Sequence, residues 1–393
     1  MSPSRKPKST SVSTAAIPAE KLEHPFQKLG LPLQPPYPPA EAKSVKDLPR
    51  ESGWLYEPKW DGFRCVAFRN GDKIELQSKA GQPLGRYFPE LVAALSELAA
   101  RKFVLDGEIV IHSGAGLDFD ALLQRIHPAA SRIQRLSLET PATYIVFDLL
   151  LDAKGKKLTD QPLSERKKAL HEFGKKYLSQ SSATAQKSDA KKSKADALRV
   201  SLSPATPEFA TAEKWMREGA AHGWDGVVAK RLDCEYMSGE RTGMVKIKRI
   251  RTADCVVGGF RWARKGGEVG SLLLGLYNHR GELDHIGFSS SFSREERKKL
   301  KPILKPLIVN DKSKGGFTGK APGGPSRWTQ DERDTEWNAL KPKLVGEFQY
   351  DHFSGHRFRH GTKFLRWRPE KKPAQCTIDQ VVARKTKTNG SQL

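Results

Sequence analysis

Lys59 sits two residues from a carboxylate on either side, in the stretch Glu57-Pro58-Lys59-Trp60-Asp61-Gly62-Phe63-Arg64. A lysine amine attacks phosphorus only when neutral, and at an ordinary pKa of about 10.4 roughly one molecule in a few thousand is neutral at pH 7. Bringing the pKa near 7 requires on the order of 4 kcal/mol of preference for the neutral form, which nearby cations and partial burial supply. Lys246 and Lys248, alternating with Val245 and Ile247 in Met244-Val245-Lys246-Ile247-Lys248, are the candidate cations. With a period of two they share one strand face, toward water or a bound anion. The short motif alone is weak: Lys-x-Asp-Gly arises by chance in about one chain in ten of this length.

Other residues invite chemistry less directly. Asp106 and Glu108 fall inside the apolar run Leu105-Asp106-Gly107-Glu108-Ile109, where carboxylates are costly unless paired or engaged in binding. A turn or a strand edge is the bland alternative. Phe147 lies beside Asp148 in the apolar run from Tyr144 to Leu151, and taken alone it reads as a core aromatic. The segment 315–320 lacks both the spacing and the Ser or Thr of a phosphate-binding loop, since Ala321 follows Lys320. His352, His356 and His360 recur every four residues, but Gly355 and Gly361 argue against a helix that would gather them on a metal.

Composition narrows the class. The 393 residues, 37% of them hydrophobic, suffice for two domains with tails. A formal charge of +23 points to a polyanionic partner, nucleic acid before membrane, although basic tails could carry much of it. Four scattered cysteines without a C-x-x-C pair imply a reducing compartment and no structural zinc. The apolar runs are too short to cross a bilayer, and the start of the chain lacks a signal peptide's apolar core. Residues 1–19 share their Ser-rich, acid-free composition with transit peptides, yet show no amphipathic pattern and read as a disordered basic arm.

The elements that must hold these groups follow from periodicity. The prolines at 32, 35, 36, 38 and 39 predict an extended lead-in. Strands are expected over 54–56, 63–69 and 73–78, with Asn70-Gly71-Asp72 as a hairpin turn, so that Lys59 lies in a loop held by strands. A helix over 88–100, strands over 103–111 and 144–151, a helix over 208–222, and strands following Trp224 and Gly243 complete the first domain, 24–250. A low-complexity insertion interrupts it at 175–197. Beyond it, short strands near 255–260, 271–277, 285–290 and 344–353 with Gly-rich connections, and a basic helix over 294–305, predict an oligonucleotide-binding (OB-fold) β-barrel over 251–376. Residues 1–23 and 377–393 are expected to be tails. The predicted class is α+β: antiparallel sheets with helices, followed by the all-β barrel.

Six stretches resemble, in order, the motifs of covalent nucleotidyltransferases and specifically of ATP-dependent DNA ligases. They are Glu57-Pro58-Lys59-Trp60-Asp61-Gly62, Ser78-Lys79-Ala80-Gly81, Asp106-Gly107-Glu108, Tyr144-Ile145-Val146-Phe147-Asp148, Asp225-Gly226-Val227-Val228 and Lys246-Ile247-Lys248. A seventh, Arg366-Trp367-Arg368-Pro369-Glu370-Lys371, resembles the motif that ends the family's barrel domain. The resemblance runs from about His24 to Cys376 and is similar in extent to the compact bacterial LigC class, related to the ligase module of LigD.

It implies that Lys59 takes AMP from ATP, that AMP passes to the 5′-phosphate of a nick, and that the adjacent 3′-hydroxyl displaces it. It also implies adenine reading by Glu57, stacking on Phe147, and roles for Arg64 and Glu108 at the ribose or the nick phosphate. Lys79 and Arg64 would contact DNA, and Lys246 and Lys248 the α-phosphate. Arg368 and Lys371 would orient the departing pyrophosphate, while Glu108 and Asp225 would hold Mg2+ or Mn2+. Two positions depart from the common pattern: Asp225 stands where many relatives carry Glu, and Glu370 where Asp is usual. The expected partner is nicked duplex DNA, with a monomeric, cytoplasmic, nucleoid-associated ligase serving DNA repair; Ku or a repair polymerase is an open possibility. The rival readings are an RNA ligase, an mRNA-capping guanylyltransferase, and a non-catalytic nucleic-acid-binding relative.

Overall fold

The computed structural model describes residues 26–382 apart from 115, 179–198, 264–266, 312–314, 323–335, 355 and 360. The expected basic arm, most of the 175–197 insertion, His360 and the end of the polar tail lie outside the described residues. The chain divides into two compact units, one reaching Lys248 and the other starting at Arg249.

The first unit begins with the Pro-rich lead-in, which packs Leu29, Leu31 and Leu33 against Val66, Phe68 and Val104. Strands β1 (Lys43–Ser44), β2 (Trp54–Pro58), β3 (Phe63–Asn70) and β4 (Lys73–Ser78) follow. The β3–β4 turn is tight because Gly71 adopts φ 64°. After helix α1 (Pro89–Ser96) come β5 (Lys102–Ser113), β6 (Gly116–Leu117), α2 (Phe119–Gln124), α3 (Ala130–Glu139) and β7 (Ala142–Leu151). The unit closes with α4 (Leu163–Phe173), β8 (Val200–Leu202), α5 (Phe209–Glu218), β9 (Gly226–Arg231) and β10 (Met244–Lys248).

Two sheets result. One runs β4-β3-β5-β7-β8 with β6 on β5; the other runs β1-β10-β9-β2. Their pairings are antiparallel except β7 with β8 and β1 with β10, so the sheets are mixed rather than purely antiparallel as expected. The main core lies under the larger sheet, where Cys65, Ala67, Leu105, Ile109 and Val146 meet Phe88, Leu91 and Leu95.

The second unit corrects an expectation. Its strands are β11 (Arg251–Trp262), β12 (Val269–Tyr277), β13 (Leu283–Ser289), β14 (Ile308–Val309), β15 (Asn338–Leu340), β16 (Val345–Tyr350), the small pair β17 (Phe353–Ser354) and β18 (Arg357–Phe358), and β19 (Lys363–Trp367). Helix α6 (Arg294–Leu304) carries a Ser293–Glu296 capping box. Among the described residues no sheet closes into a barrel: the path β13-β12-β11-β15-β14 is open, and β19 pairs with β16. The cause lies in β11. It pairs with β16 over Arg251–Val256 and with β15 over Gly259–Phe260, and its pairing with β12 shifts register between Val257 and Gly259. One long strand thus feeds two short partners in succession and the sheet branches. The expected polar tail is partly packed: Ile378 is buried, and Gln380 donates to Asp254 O at 3.0 Å.

Arg69, 2% exposed, stabilises the first unit in a way its sequence does not announce. Its guanidinium donates to the carbonyls of Leu95 (2.6 Å), Leu98 (2.7 Å), Ser96 (2.8 Å) and Gly71 (3.0 Å), closing the C-terminal end of α1. Leu there leaves those carbonyls without donors. Arg69→Leu is expected to lower stability by about 3–5 kcal/mol in urea unfolding. A loss below about 1 kcal/mol contradicts this role.

Candidate active site

Residues 59–62 cross from the smaller sheet, where β2 ends at Pro58, to the larger, where β3 starts at Phe63. Backbone bonds hold the crossing: Lys59 N–H donates to Gly226 O at 2.9 Å, and Asp225 N–H donates to Lys59 O at 2.8 Å. Both Asp-Gly pairs need their glycine. A Cβ on Gly62 would stand 2.2 Å from Ile109 O, and Gly226, at φ +148°, would place one 2.0 Å from Ile247 O. Trp60 fixes the outer side, donating from Nε1 to Ser203 Oγ at 2.9 Å.

The electrostatics at Lys59 differ from the sequence expectation. Its Nζ lies 2.7 Å from Asp225 Oδ2, with the two side chains 19% and 4% exposed. Burial pulls the lysine pKa down, but Asp225, with Asp61 and Glu108, outweighs it and holds the amine above its ordinary value. Lys246 and Lys248 therefore do not keep Lys59 neutral in the free protein. Lys246 is itself a depressed amine, through burial and then the cations of Lys79, Lys59 and Lys248. Lys248 Nζ stands 4.0 Å from the same Asp225 oxygen.

An open cleft includes Lys59, Glu57, Arg64, Lys79, Glu108, Phe147 and Lys246 in its lining. Arg64 is aimed by a two-pronged ion pair with Asp106 (2.6 and 2.7 Å), whose Oδ2 also accepts from Tyr236 OH at 2.5 Å. Phe147 has Arg64 Cζ at 4.6 Å and Lys230 Nζ at 4.4 Å from its ring centroid. Glu57, 2% exposed, accepts from Lys230 Nζ at 2.8 Å and pairs with Lys167. Lys79 is tied to Glu41 at 3.1 Å. Arg368 and Lys371 belong to the second unit, where both hold Asp254, at 2.8 and 2.6 Å, and Arg368 also meets Glu370 at 2.5 Å.

Sequence reasoning missed the partners that hold these groups: Asp106 on Arg64, Lys167 and Lys230 on Glu57, and Asp254 on Arg368 and Lys371. For Lys230 a signal existed. The strand period puts residues 226, 228 and 230 on one face of β9, and both Val228 and Lys230 line the cleft. Lys167 and Asp254 carried no comparable signal.

As to a metal, no three His, Cys, Asp or Glu side chains converge on a common point among the described residues. Magnesium does not require such a cage, since one or two carboxylates suffice where substrate phosphates and water complete its shell. Asp225 and Glu108 are carboxylates of the kind such a site uses, and both act on the charge of Lys59.

Comparison with known proteins decides the family. Residues 39–248 match the ATP dependent DNA ligase domain, and residues 265–371 the ATP dependent DNA ligase C terminal region. The chain belongs to the ATP-dependent DNA ligases. It is 43% identical over 366 residues to DNA ligase C1 of Mycolicibacterium smegmatis, covering 90% of this chain and 96% of that protein. It is 42% identical over 360 residues to DNA ligase C of Mycobacterium tuberculosis, covering 89% and 95%. A solved structure described as Pmar-Lig_Pre aligns with a TM-score of 0.52 at 16% identity, over 84% of this chain and 67% of that one, a likeness of fold alone. The ligase uses ATP to seal nicked DNA by way of adenylylation. No helix among its described residues is long and apolar enough to cross a membrane.

One cleft group carries a pH signature. Burial pushes the Glu108 carboxyl up to about 7, Arg64 and Lys59 oppose this, and Asp61 and Asp106 add to it. Between the ordinary carboxyl value and about 7 the folded ligase then holds a proton that the unfolded chain releases, so this group's contribution to stability falls as pH rises through that window. Glu108→Gln is expected to remove up to about 3 kcal/mol of that decline. Urea unfolding from pH 4.5 to 7.5 in a metal chelator, roughly the span of the linkage, reads it; an unchanged profile contradicts the raised carboxyl.

Proposed function

We propose that Lys59 is the adenylylation nucleophile. The observation that carries this is its position: a partly buried amine at the sheet-to-sheet crossing, on the wall of the cleft, faced by Asp225 and flanked by Lys246 and Lys248. Neutral Lys59 Nζ attacks the α-phosphorus of ATP; the bond to the β-phosphate oxygen breaks, pyrophosphate leaves, and a lysyl-N-AMP bond forms. The 5′-phosphate of the nick then takes AMP from Lys59, and the 3′-hydroxyl attacks that phosphate, releasing AMP and closing the phosphodiester.

The chain's own groups divide the work. Lys59 loses its proton and its Asp225 partner before it can attack, and Lys246 and Lys248 then favour the neutral amine and stabilise charge on the α-phosphate. Glu57 reads the adenine amino group and Phe147 stacks on the base. Arg64, held rigid by Asp106, serves the ribose or the nick phosphate together with Glu108, and Arg64 and Lys79 contact the DNA backbone. Arg368 and Lys371 orient pyrophosphate for departure. Asp225 and Glu108 hold magnesium or manganese, which when bound supplies charge neutralisation for the phosphates.

Lys59→Ala is expected to lose ATP-dependent sealing of a singly nicked duplex while still binding DNA. A variant that seals with ATP overturns the assignment. Running the assay with RNA substituted in either strand, and with GTP in place of ATP, separates this reading from RNA ligase and guanylyltransferase activity. Charge reversal in Arg368→Glu should depress self-adenylylation by at least about tenfold more than sealing of a nick already carrying AMP. Equal losses in the two assays contradict the pyrophosphate role.

A further inference from the structure

Glu57 is held more tightly than base contact alone requires. It lies near the end of β2, 2% exposed, and cations from two different elements meet its carboxylate. Lys230 of β9 donates to Oε2 at 2.8 Å, and Lys167 of α4 pairs with Oε1. Lys167 does a second thing: its Nζ also donates to Phe147 O at 2.5 Å. One ammonium thereby ties the carboxylate to the backbone of the aromatic residue that lines the same cleft, and Lys230 lies 4.4 Å from that ring's centroid.

We propose that Lys167 is a positioning residue for nucleobase choice. By pinning Glu57 to the backbone of Phe147 it keeps the carboxylate ionised and aimed, and so sets the preference for purine triphosphates that bear a 6-amino group. This rests on the reading of Glu57 and Phe147 as base contacts. The logic is one of hydrogen-bond polarity. An ionised carboxylate only accepts, so it welcomes an amino N–H and repels a carbonyl oxygen, whereas a protonated carboxyl also donates and accommodates either. Burial drives Glu57 toward its protonated form, and Lys167 and Lys230 together reverse that. Without Lys167 one oxygen loses its counter-ion and the side chain its tether.

The test is self-nucleotidylylation of the full-length ligase with ATP, GTP and purine riboside triphosphate, which lacks the 6-amino group. The proteins are wild type, Glu57→Gln, Lys167→Met, Lys167→Gln and Lys167→Arg, each checked for a cooperative thermal transition. The two neutral Lys167 variants should lose roughly tenfold in preference for ATP over both competitors, mainly through the KM for ATP with kcat nearly retained. Lys167→Arg should keep most of the preference. Combined with Glu57→Gln, Lys167→Met should add no further loss, because the two act as one unit.

Either neutral variant that folds and keeps wild-type preference overturns the proposal, as does a full additional loss in the Glu57→Gln background. Retained preference in Glu57→Gln itself would instead show that Glu57 does not read the base. That failure is distinct from one in which Glu57→Gln loses preference and the Lys167 variants do not.

Discussion

The ion pair between Lys59 and Asp225, made across 166 residues of sequence, is the contact around which the first unit is arranged. The backbone bonds between Lys59 and residues 225–226 dock one loop on the other. The two glycines allow strands to pass where a side chain could not fit, and β9 carries Asp225's neighbours into register with both β2 and β10. Chemically, the pair stores the amine in its unreactive, protonated state. On the proposed role of Lys59, a nucleophile kept charged until its counter-ion is drawn away is protected from idle reaction, and reactivity then depends on what enters the cleft rather than on a permanently depressed pKa.

The same economy recurs around the molecule. Several of the charged groups assigned a task are held by an opposite charge: Arg64 by Asp106, Glu57 by Lys167 and Lys230, Arg368 and Lys371 by Asp254. Buried ion pairs contribute little net stability, because desolvation offsets their attraction, but removing one partner leaves an uncompensated charge. Their value here is orientation. A guanidinium held by two bonds to one carboxylate keeps its direction in the cleft wall. The cost is burial: Asp106 within β5 and Asp225 just before β9 are both withdrawn from water.

Much of the scaffold was legible in the sequence. Strand period and the Asn70-Gly71-Asp72 turn located β3 and β4, and the apolar alternation around Lys246 and Lys248 located β10. Helices α2, α3 and α4 were not anticipated, since charged residues interrupt the apolar pattern of the first two and α4 begins only after a Pro-containing turn. The closed barrel was the larger misreading. Short strands with Gly-rich joints fit a barrel and an open, branched sheet equally well, and the difference depends on which edge of β11 each strand finds. At the site, spacing revealed groups close in sequence. It could not reveal that Asp225 would face Lys59 directly and reverse the expected shift of its pKa, because that depends on a pairing made only by the folded sheets.

If Lys59 is the nucleophile, the amine held by Asp225 is the one that takes AMP. Peptide mapping by mass spectrometry, after incubation of the full chain with ATP and magnesium and digestion under conditions that preserve phosphoramidates, tests it most directly. One AMP adduct is expected, on the peptide containing Lys59 and assigned to its side chain, absent in Lys59→Ala and discharged when nicked DNA is added. An adduct on Lys246 or any other residue, or one that persists in Lys59→Ala, would contradict it.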